Sequence, residues 1–251
     1  MKTVAEKNNQ EDIIVVSELA KSFGTKSVLS DINFTLKKGE NLVILGRSGT
    51  GKSITIKCIV GLIKSDAGRI DVFGTDITKI DNLELNQIRA RVGFMFQSGA
   101  LYDSMSVRQN LTFALKHHSK NLEQTDIEQK INDSLESVGL LDAIDKMPAE
   151  LSGGMIKRIG LARTIITNPE IILYDEPTSG LDTITSREIS DLILSVQQKY
   201  KTSSIIITHD MACAKSTGNR VLILKAGKVN AEGSYDDLEK SSDEWVKSFF
   251  N

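Results

Sequence analysis

A chain of 251 residues, 40% hydrophobic and 25% charged, has room for one large α/β domain or a core with a small subdomain. Its 31 Lys and Arg against 33 Asp and Glu leave a formal charge of −2, which argues against a dedicated nucleic-acid binder with a basic face. No apolar run approaches the ~20 residues of a membrane span, and the start, Met1 to Asp12, is polar where a signal peptide needs an apolar stretch.

Met1 to Asp12 reads as a frayed leader. Ile13-Ile14-Val15-Val16 reads as a first strand and runs on through Ser17 to Gly24 towards a turn. Val28 to Leu36 alternates like a second strand, and Lys37-Lys38-Gly39-Glu40 is a turn. Phe23 precedes Lys52 by twenty-nine residues; an aromatic there either stacks on an adenine or fills a core.

The apolar run Leu42-Val43-Ile44-Leu45 leads into Gly46-Arg47-Ser48-Gly49-Thr50-Gly51-Lys52-Ser53, and Ile54 to Val60 follows. A buried strand, a glycine loop and a helix start form a phosphate-binding P-loop in its expected context. Glycines let the backbone approach a polyphosphate, and successive N–H groups then make an anion nest at the helix N-terminus. Lys52 can reach the β- and γ-phosphates, and Ser53 can place its hydroxyl on Mg²⁺. With the P-loop strand, the opening segments predict an antiparallel sheet beside a parallel one.

Gly61 ends the P-loop helix. Gly68 to Gly74 reads as a short strand between turns, Leu83 to Arg91 as a helix, and Val92 to Gln97 as an apolar strand with a polar end. From Val107 to about Gly139 the pattern is helical. Leu111, Ala114 and Leu115 share one face, and Ile127, Ile131, Leu135 and Val138 form a second stripe. His117-His118 has no ligand spacing and reads as solvated; Cys58 and Cys213 match no metal or redox spacing and read as reduced, buried thiols.

Leu151-Ser152-Gly153-Gly154 is a second glycine turn, entering a helix from Met155 to Thr167 that Asn168-Pro169 stops. Ile171 to Asp175 is a buried strand ending in Asp175-Glu176-Pro177. A helix runs from about Ser186 to Lys199, and Ser204 to Thr208 is an apolar strand before His209-Asp210. Val221 to Val229 predicts a hairpin around Ala226-Gly227, and the tail carries a short helix with Trp245, Phe249 and Phe250. Strands alternating with helices around a P-loop predict an α/β sandwich with a largely parallel sheet.

Ligands of such a sheet sit beyond the carboxyl ends of its strands. There Asp175 is placed to hold Mg²⁺, which takes few carboxylates and several waters. Glu176 can polarise a water for attack on a γ-phosphate, Gln97 can bond that water or the metal shell, and His209 can bond the γ-phosphate and orient Glu176. One nucleotide does not need two glycine-rich helix starts from one chain, so the turn at Ser152-Gly153-Gly154 predicts a dimer in which it serves the partner's nucleotide.

These residues resemble the ABC ATPase cassette. Gly46–Ser53 is similar to Walker A, Ile171–Asp175 to Walker B followed by the catalytic Glu176, Leu151–Gly154 to the signature motif, Gln97 to the Q-loop and His209 to the switch histidine. Ser179-Gly180-Leu181-Asp182 resembles the D-loop, and Phe23 falls at the aromatic A-loop position, usually Tyr. The resemblance implies a P-loop NTPase cassette over 13–238: a RecA-like core (about 13–97 and 169–238) with an antiparallel β subdomain and an inserted helical subdomain (about 98–168), then a tail, 239–251. It implies ATP and Mg²⁺ as cofactors and a homodimer that closes head to tail. It further implies a transmembrane permease as partner, a peripheral place on the cytoplasmic face of the inner membrane, and no nucleic acid.

Four stretches, Phe96–Val107, Leu151–Met155, Leu173–Asp182 and Thr208–Met211, together with the Trp245–Phe250 tail, are similar to the Mla/Mce phospholipid transporters, which implies a Mce-domain protein in the assembly. Other importers, such as those for amino acids, and soluble ABC-type ATPases remain as alternatives. Ala100, Leu101, Tyr102, Met105 and Val107 follow a strand end without an obvious core stripe. They predict either a docking surface for the permease or a satellite core.

Overall fold

The computed structural model describes residues 11–118 and 122–250. Most of the leader read at Met1 to Asp12 therefore lies outside the described residues. In chain order the elements begin with β1 (Asp12–Phe23), β2 (Lys26–Lys37), β3 (Asn41–Gly46), α1 (Lys52–Ile59), β4 (Ala67–Val72), β5 (Thr75–Asp76), α2 (Asn82–Arg89) and β6 (Val92–Met95). An all-helical stretch follows: α3 (Val107–His118), α4 (Gln124–Ser137), two single 3₁₀ turns and α5 (Gly153–Ile165). The chain then returns through β7 (Ile171–Asp175), α6 (Thr183–Tyr200), β8 (Ser203–Thr208), α7 (Met211–Thr217), β9 (Arg220–Lys225), β10 (Lys228–Gly233), α8 (Tyr235–Glu239) and α9 (Glu244–Lys247).

Six strands lie in the order β10-β9-β3-β8-β7-β6. The pairs β9–β3, β3–β8, β8–β7 and β7–β6 are parallel; only β10 runs antiparallel, at the edge. Every residue of β3, β7 and β8 is buried, as expected of parallel strands covered on both faces. A second, antiparallel sheet has the order β2-β1-β4-β5. The P-loop strand β3 thus belongs to the parallel sheet, not to the antiparallel opening with which the sequence grouped it.

The period of two in the strands divides the core. Val43, Leu45, Ile172, Tyr174, Ile206, Val221 and Ile223 face a cluster built with α3 to α7. Their neighbours Leu42, Ile44, Ile171, Leu173, Ile205, Ile207, Leu222 and Leu224 face a second cluster with α1, α2 and the antiparallel sheet. The stripe Ile127, Ile131, Leu135 and Val138 is buried on the first side, with Leu111 and Leu115. Val107 is buried there too and Leu101 packs against it, so these two belong to a core and not to an exposed docking strip. Cys58 and Cys213 are both buried free thiols, whose pKa values burial pushes up.

Helix starts follow their caps. Asp81, Ser152, Asp182, Asp210 and Ser234 each accept backbone N–H groups at the start of α2, α5, α6, α7 and α8. The cap at Asp182 starts α6 at Thr183, ahead of the Ser186 expected. Arg220 joins the two sheets: its guanidinium bonds the Glu40 carboxylate at 2.7 and 2.9 Å and the Thr35 carbonyl at 2.6 Å. The tail is docked. Leu238 and Val246 are buried in the first cluster, and Trp245, Phe249 and Phe250 pack against it. Trp245 meets Phe249 edge-on at 4.9 Å, and Lys225 lies 4.4 Å from the Trp245 ring centre.

Candidate functional site

The strands β3, β8, β7 and β6 are neighbours, so the loops at their carboxyl ends converge. They line a cleft of about 700 Å³ with Ser48, Gly49, Gly51, Lys52 and Ser53 from the loop after β3, Gln97, Glu176 and His209. Phe23 and Val28, from the β1–β2 hairpin, form another wall. Phe23 is 49% exposed, which removes the core-aromatic alternative and leaves its ring on the cleft.

The loop 46–53 needs its glycines for space as well as conformation. Gly51 has φ 100°, and a Cβ there would lie 2.4 Å from Leu29 Cδ2 and 3.0 Å from the Val28 carbonyl oxygen. Lys52 is buried; its Nζ donates to the Gly46 and Arg47 carbonyls at 2.8 and 3.3 Å and stands 3.6 Å from Glu176 Oε1. Thr50 Oγ1 donates to the Arg47 carbonyl at 2.9 Å, closing the loop on itself. Ser53 Oγ donates to Asp175 Oδ1 at 2.6 Å. A hydroxyl and a single carboxylate at the end of a phosphate loop suit Mg²⁺, which completes its shell with phosphate oxygens and water. Among the described residues no cluster of three His, Cys, Asp or Glu offers an all-protein metal cage.

Glu176 is 9% exposed and holds φ 52°, a left-handed conformation rare outside glycine. Its N–H donates to the Ile207 carbonyl at 2.9 Å, tying it to β8. Its Oε2 lies 2.7 Å from His209 Nδ1. With Nδ1–H donating to the carboxylate, His209 keeps Nε2 for a further partner. Gln97 is exposed in the turn beyond β6, which ends at Met95, two residues sooner than expected.

The remaining sequence-predicted residues stand elsewhere. Ser152 and Gly153 are exposed at the start of α5, and neither they nor Gly154 line the cleft. Gly154 lies against α6, where a Cβ would come within 2.7 Å of Thr185 Cγ2. Asp182 is also outside the cleft; its carboxylate accepts the Thr185 hydroxyl at 2.6 Å and two α6 N–H groups, which hold its pKa below the ordinary carboxylate value. His117 and His118 are exposed, with His117 stacked 6.2 Å from Phe113.

One residue escaped the sequence reading. Lys157, on α5, is 5% exposed, and its Nζ donates to the Gln97 carbonyl, to the Glu176 carbonyl at 3.1 Å and to Ser179 Oγ at 3.3 Å. Burial pushes its pKa down, against the opposing pull of the Glu176 and Asp175 carboxylates. A lysine held between Ile156 and Ile159 on a helix that buries most of its surface was the available signal.

Residues 29–179 match the protein family described as ABC transporter. The probable ribonucleotide transport ATP-binding protein mkl of Mycobacterium tuberculosis is 38% identical over 238 residues, 95% of this chain and 66% of that protein. The methionine import ATP-binding protein MetN of Rhizobium johnstonii is 37% identical over 223 residues, 89% of this chain and 61% of that protein. The intermembrane phospholipid transport system ATP-binding protein MlaF of Haemophilus influenzae is 36% identical over 239 residues, 95% of this chain and 90% of that protein. The chain thus spans less than two thirds of the length of the first two relatives. Among solved structures, the dimeric bacterial ABC transporter cassette MJ0796 superposes with a TM-score of 0.82 at 28% identity, covering 88% of this chain and 98% of that one. A P-loop core with an inserted helical subdomain is the fold that these structures share with it, and the family match runs from β2 through the Asp175-Glu176 turn. The chain belongs to the ABC transporter family and is one of its ATP-binding cassettes, an ATPase that works on ATP with Mg²⁺.

Proposed function

We propose that this cassette is the motor of a membrane transporter that moves phospholipid between membranes, acting as a head-to-tail pair of copies beneath a permease with a Mce-domain partner. The observation that carries the motor reading is the contact of Glu176 with His209 at 2.7 Å, beside Lys52 at 3.6 Å, in the cleft behind the P-loop. Glu176 takes a proton from the attacking water, and His209 fixes the carboxylate's orientation. Lys52 and the N–H groups of Gly46 to Ser53 hold the phosphates, Phe23 stacks on the adenine, and Gln97 bonds the water or the metal shell. Ser53, Asp175 and Gln97 are the residues that would hold Mg²⁺, which would supply positive charge against the phosphate oxygens.

The pair is supported by the position of Ser152, Gly153 and Gly154 outside the cleft of their own chain, at a capped helix N-terminus. In the proposed pair they meet the partner's nucleotide, and Asp182 lies beside them near the shared face. The MJ0796 cassette is itself dimeric, and its post-hydrolysis structure holds ADP and Pi.

For permease docking the exposed residues are Tyr102 and Phe113, 46% and 44% exposed and edge-on at 5.1 Å. No described helix is long and apolar enough to cross a membrane, so membrane attachment through a partner fits the chain. The phospholipid reading draws on the Mla/Mce-like stretches and on the relative MlaF, of which this chain covers 90%. The test is transfer of a fluorescent phospholipid between vesicles by the cassette reconstituted with its permease and a Mce-domain protein. Transfer that requires ATP and stops with Glu176→Gln is the expected result. Uptake of methionine or a ribonucleotide in place of lipid would assign the substrate of another relative.

A further inference from the structure

Helix α5 grips the segment after β6 along one face. Lys157 donates to the Gln97 carbonyl, and the Arg163 guanidinium donates to the Ala100 carbonyl. Between the two cations Gly160 meets Gly99 so closely that a Cβ on Gly160 would lie 3.0 Å from Gly99 Cα and 3.1 Å from its carbonyl oxygen. In return, a Cβ on Gly99 would lie 2.9 Å from the Ile156 carbonyl oxygen. Two charge-assisted hydrogen bonds and a backbone-to-backbone contact fasten this segment to α5.

Lys157 does more than hold that segment. Its ammonium also reaches the Glu176 carbonyl and Ser179 Oγ, both in the turn that follows β7. The Glu176 carbonyl accepts from Ser179 Oγ at 2.9 Å and Ser179 N–H at 3.2 Å as well. One buried cation therefore joins the helix that begins at Ser152, the loop that carries Gln97 and the main chain of Glu176. A lysine that only filled space here would not need three acceptors from two other segments, and an apolar residue would fill it without the cost of burying a charge.

We propose that Lys157 is a positioning residue for ATP hydrolysis: it holds the Glu176 main chain in its left-handed conformation and transmits displacements of α5 to Gln97 and Glu176. A shift of the Ser152 end of α5 then changes the aim of the Glu176 carboxylate, which gives a second chain at that end a route to the reacting water. This rests on the roles proposed above for Glu176 and Gln97.

The test compares the full chain with Lys157→Met, which keeps length and loses the charge, with Lys157→Arg and Lys157→Gln, which keep donors, and with Glu176→Gln. Steady-state ATP hydrolysis, affinity for a fluorescent ATP analogue and thermal melting are measured for each. Lys157→Met should lower kcat ~10- to 100-fold, the scale of an ångström's misplacement of a catalytic group. Its KM and analogue affinity should stay within about twofold of the parent, because Gly46 to Ser53 are untouched. Lys157→Arg or Lys157→Gln should recover most of the lost kcat. A kcat for Lys157→Met near the parent's, or KM rising in step with the loss, overturns the proposal. So does failure of all three Lys157 variants to fold, which would make the residue structural alone. If Glu176→Gln hydrolyses ATP like the parent, the reading of Glu176 falls. If Glu176→Gln is inactive while Lys157→Met is not, only the inference about Lys157 falls.

Discussion

Glu176 carries a backbone conformation that costs a non-glycine residue about 1–3 kcal/mol. Bonds on both sides hold it there: its N–H to Ile207, its carbonyl to Ser179 and Lys157, its carboxylate to His209. Glu176 stands in the turn after β7, where its carboxylate reaches both His209 at 2.7 Å and Lys52 at 3.6 Å. The sequence made the Asp175-Glu176 pair legible, because adjacent acids after an apolar run are rare without chemistry. It hid Lys157, because two of that residue's three partners are carbonyls of the backbone, which leave no mark on residue identity. Phe23 was ambiguous for a related reason: whether an aromatic faces a core or a cleft depends on where the β1–β2 hairpin folds over the P-loop. With the ring exposed on the cleft, Phe23→Ala should weaken ATP binding by about 1–3 kcal/mol, the worth of one base stacked on an aromatic. GTP and ATP should lose affinity alike, since stacking is tolerant of the base. Titration of the two nucleotides against parent and variant measures it, and unchanged affinity would place the base elsewhere.

Among elements, the long amphipathic helices were readable from period, as the buried stripe on α4 shows, and the central strands β3, β7 and β8 from their continuous apolar runs. Helix α7 was missed because Met211 to Thr217 is short and only Asp210 announces it. Topology supplies the missing reason: β8 and β9 are parallel and flank β3, so the chain must cross the sheet between them. The segment after Gln97 divided in a way no local pattern shows. Val107 turned inward, while Tyr102 stayed out, where it pairs with Phe113 one helix away. Tyr102 is nonetheless fixed in place: the Asn110 side chain accepts its N–H at 2.8 Å and donates to its carbonyl at 3.2 Å. An aromatic held rigidly at the surface suits a partner's helix. Tyr102→Glu should leave nucleotide binding intact and reduce co-purification with the permease at least tenfold, a loss of ~1.4 kcal/mol or more, within the range for an aromatic hot spot. Equal recovery of the permease, with the variant's circular dichroism unchanged, would move the docking site.

Over the whole molecule, the parallel sheet brings four strand ends to one cleft, and the helical insertion reaches that cleft through α5. The two sheets are joined where Arg220 meets Glu40 and Thr35, and Glu40 is 8% exposed. Arg220→Ala strands a buried carboxylate and should cost ~3–5 kcal/mol, the usual effect of breaking one side of a buried pair. For a chain of this size each kcal/mol lowers Tm by about 2–4 °C. Calorimetry of Arg220→Ala and of the double variant with Glu40→Gln should show partial recovery in the latter, because the uncompensated charge is gone. A single variant that melts with the parent would mean the pair contributes nothing.

In the proposed pair, Glu176 acts as general base on ATP enclosed between two copies of the chain. Size-exclusion chromatography of Glu176→Gln with ATP and Mg²⁺, run alongside a steady-state hydrolysis assay, tests this. The variant's kcat should fall ~10²- to 10⁴-fold, the scale of general-base catalysis, with nucleotide retained. It should elute at twice the 27.6 kDa mass of the single chain, and only when ATP is present. Hydrolysis at the parent rate, or retained ATP on a single-chain species at all protein concentrations, would contradict it.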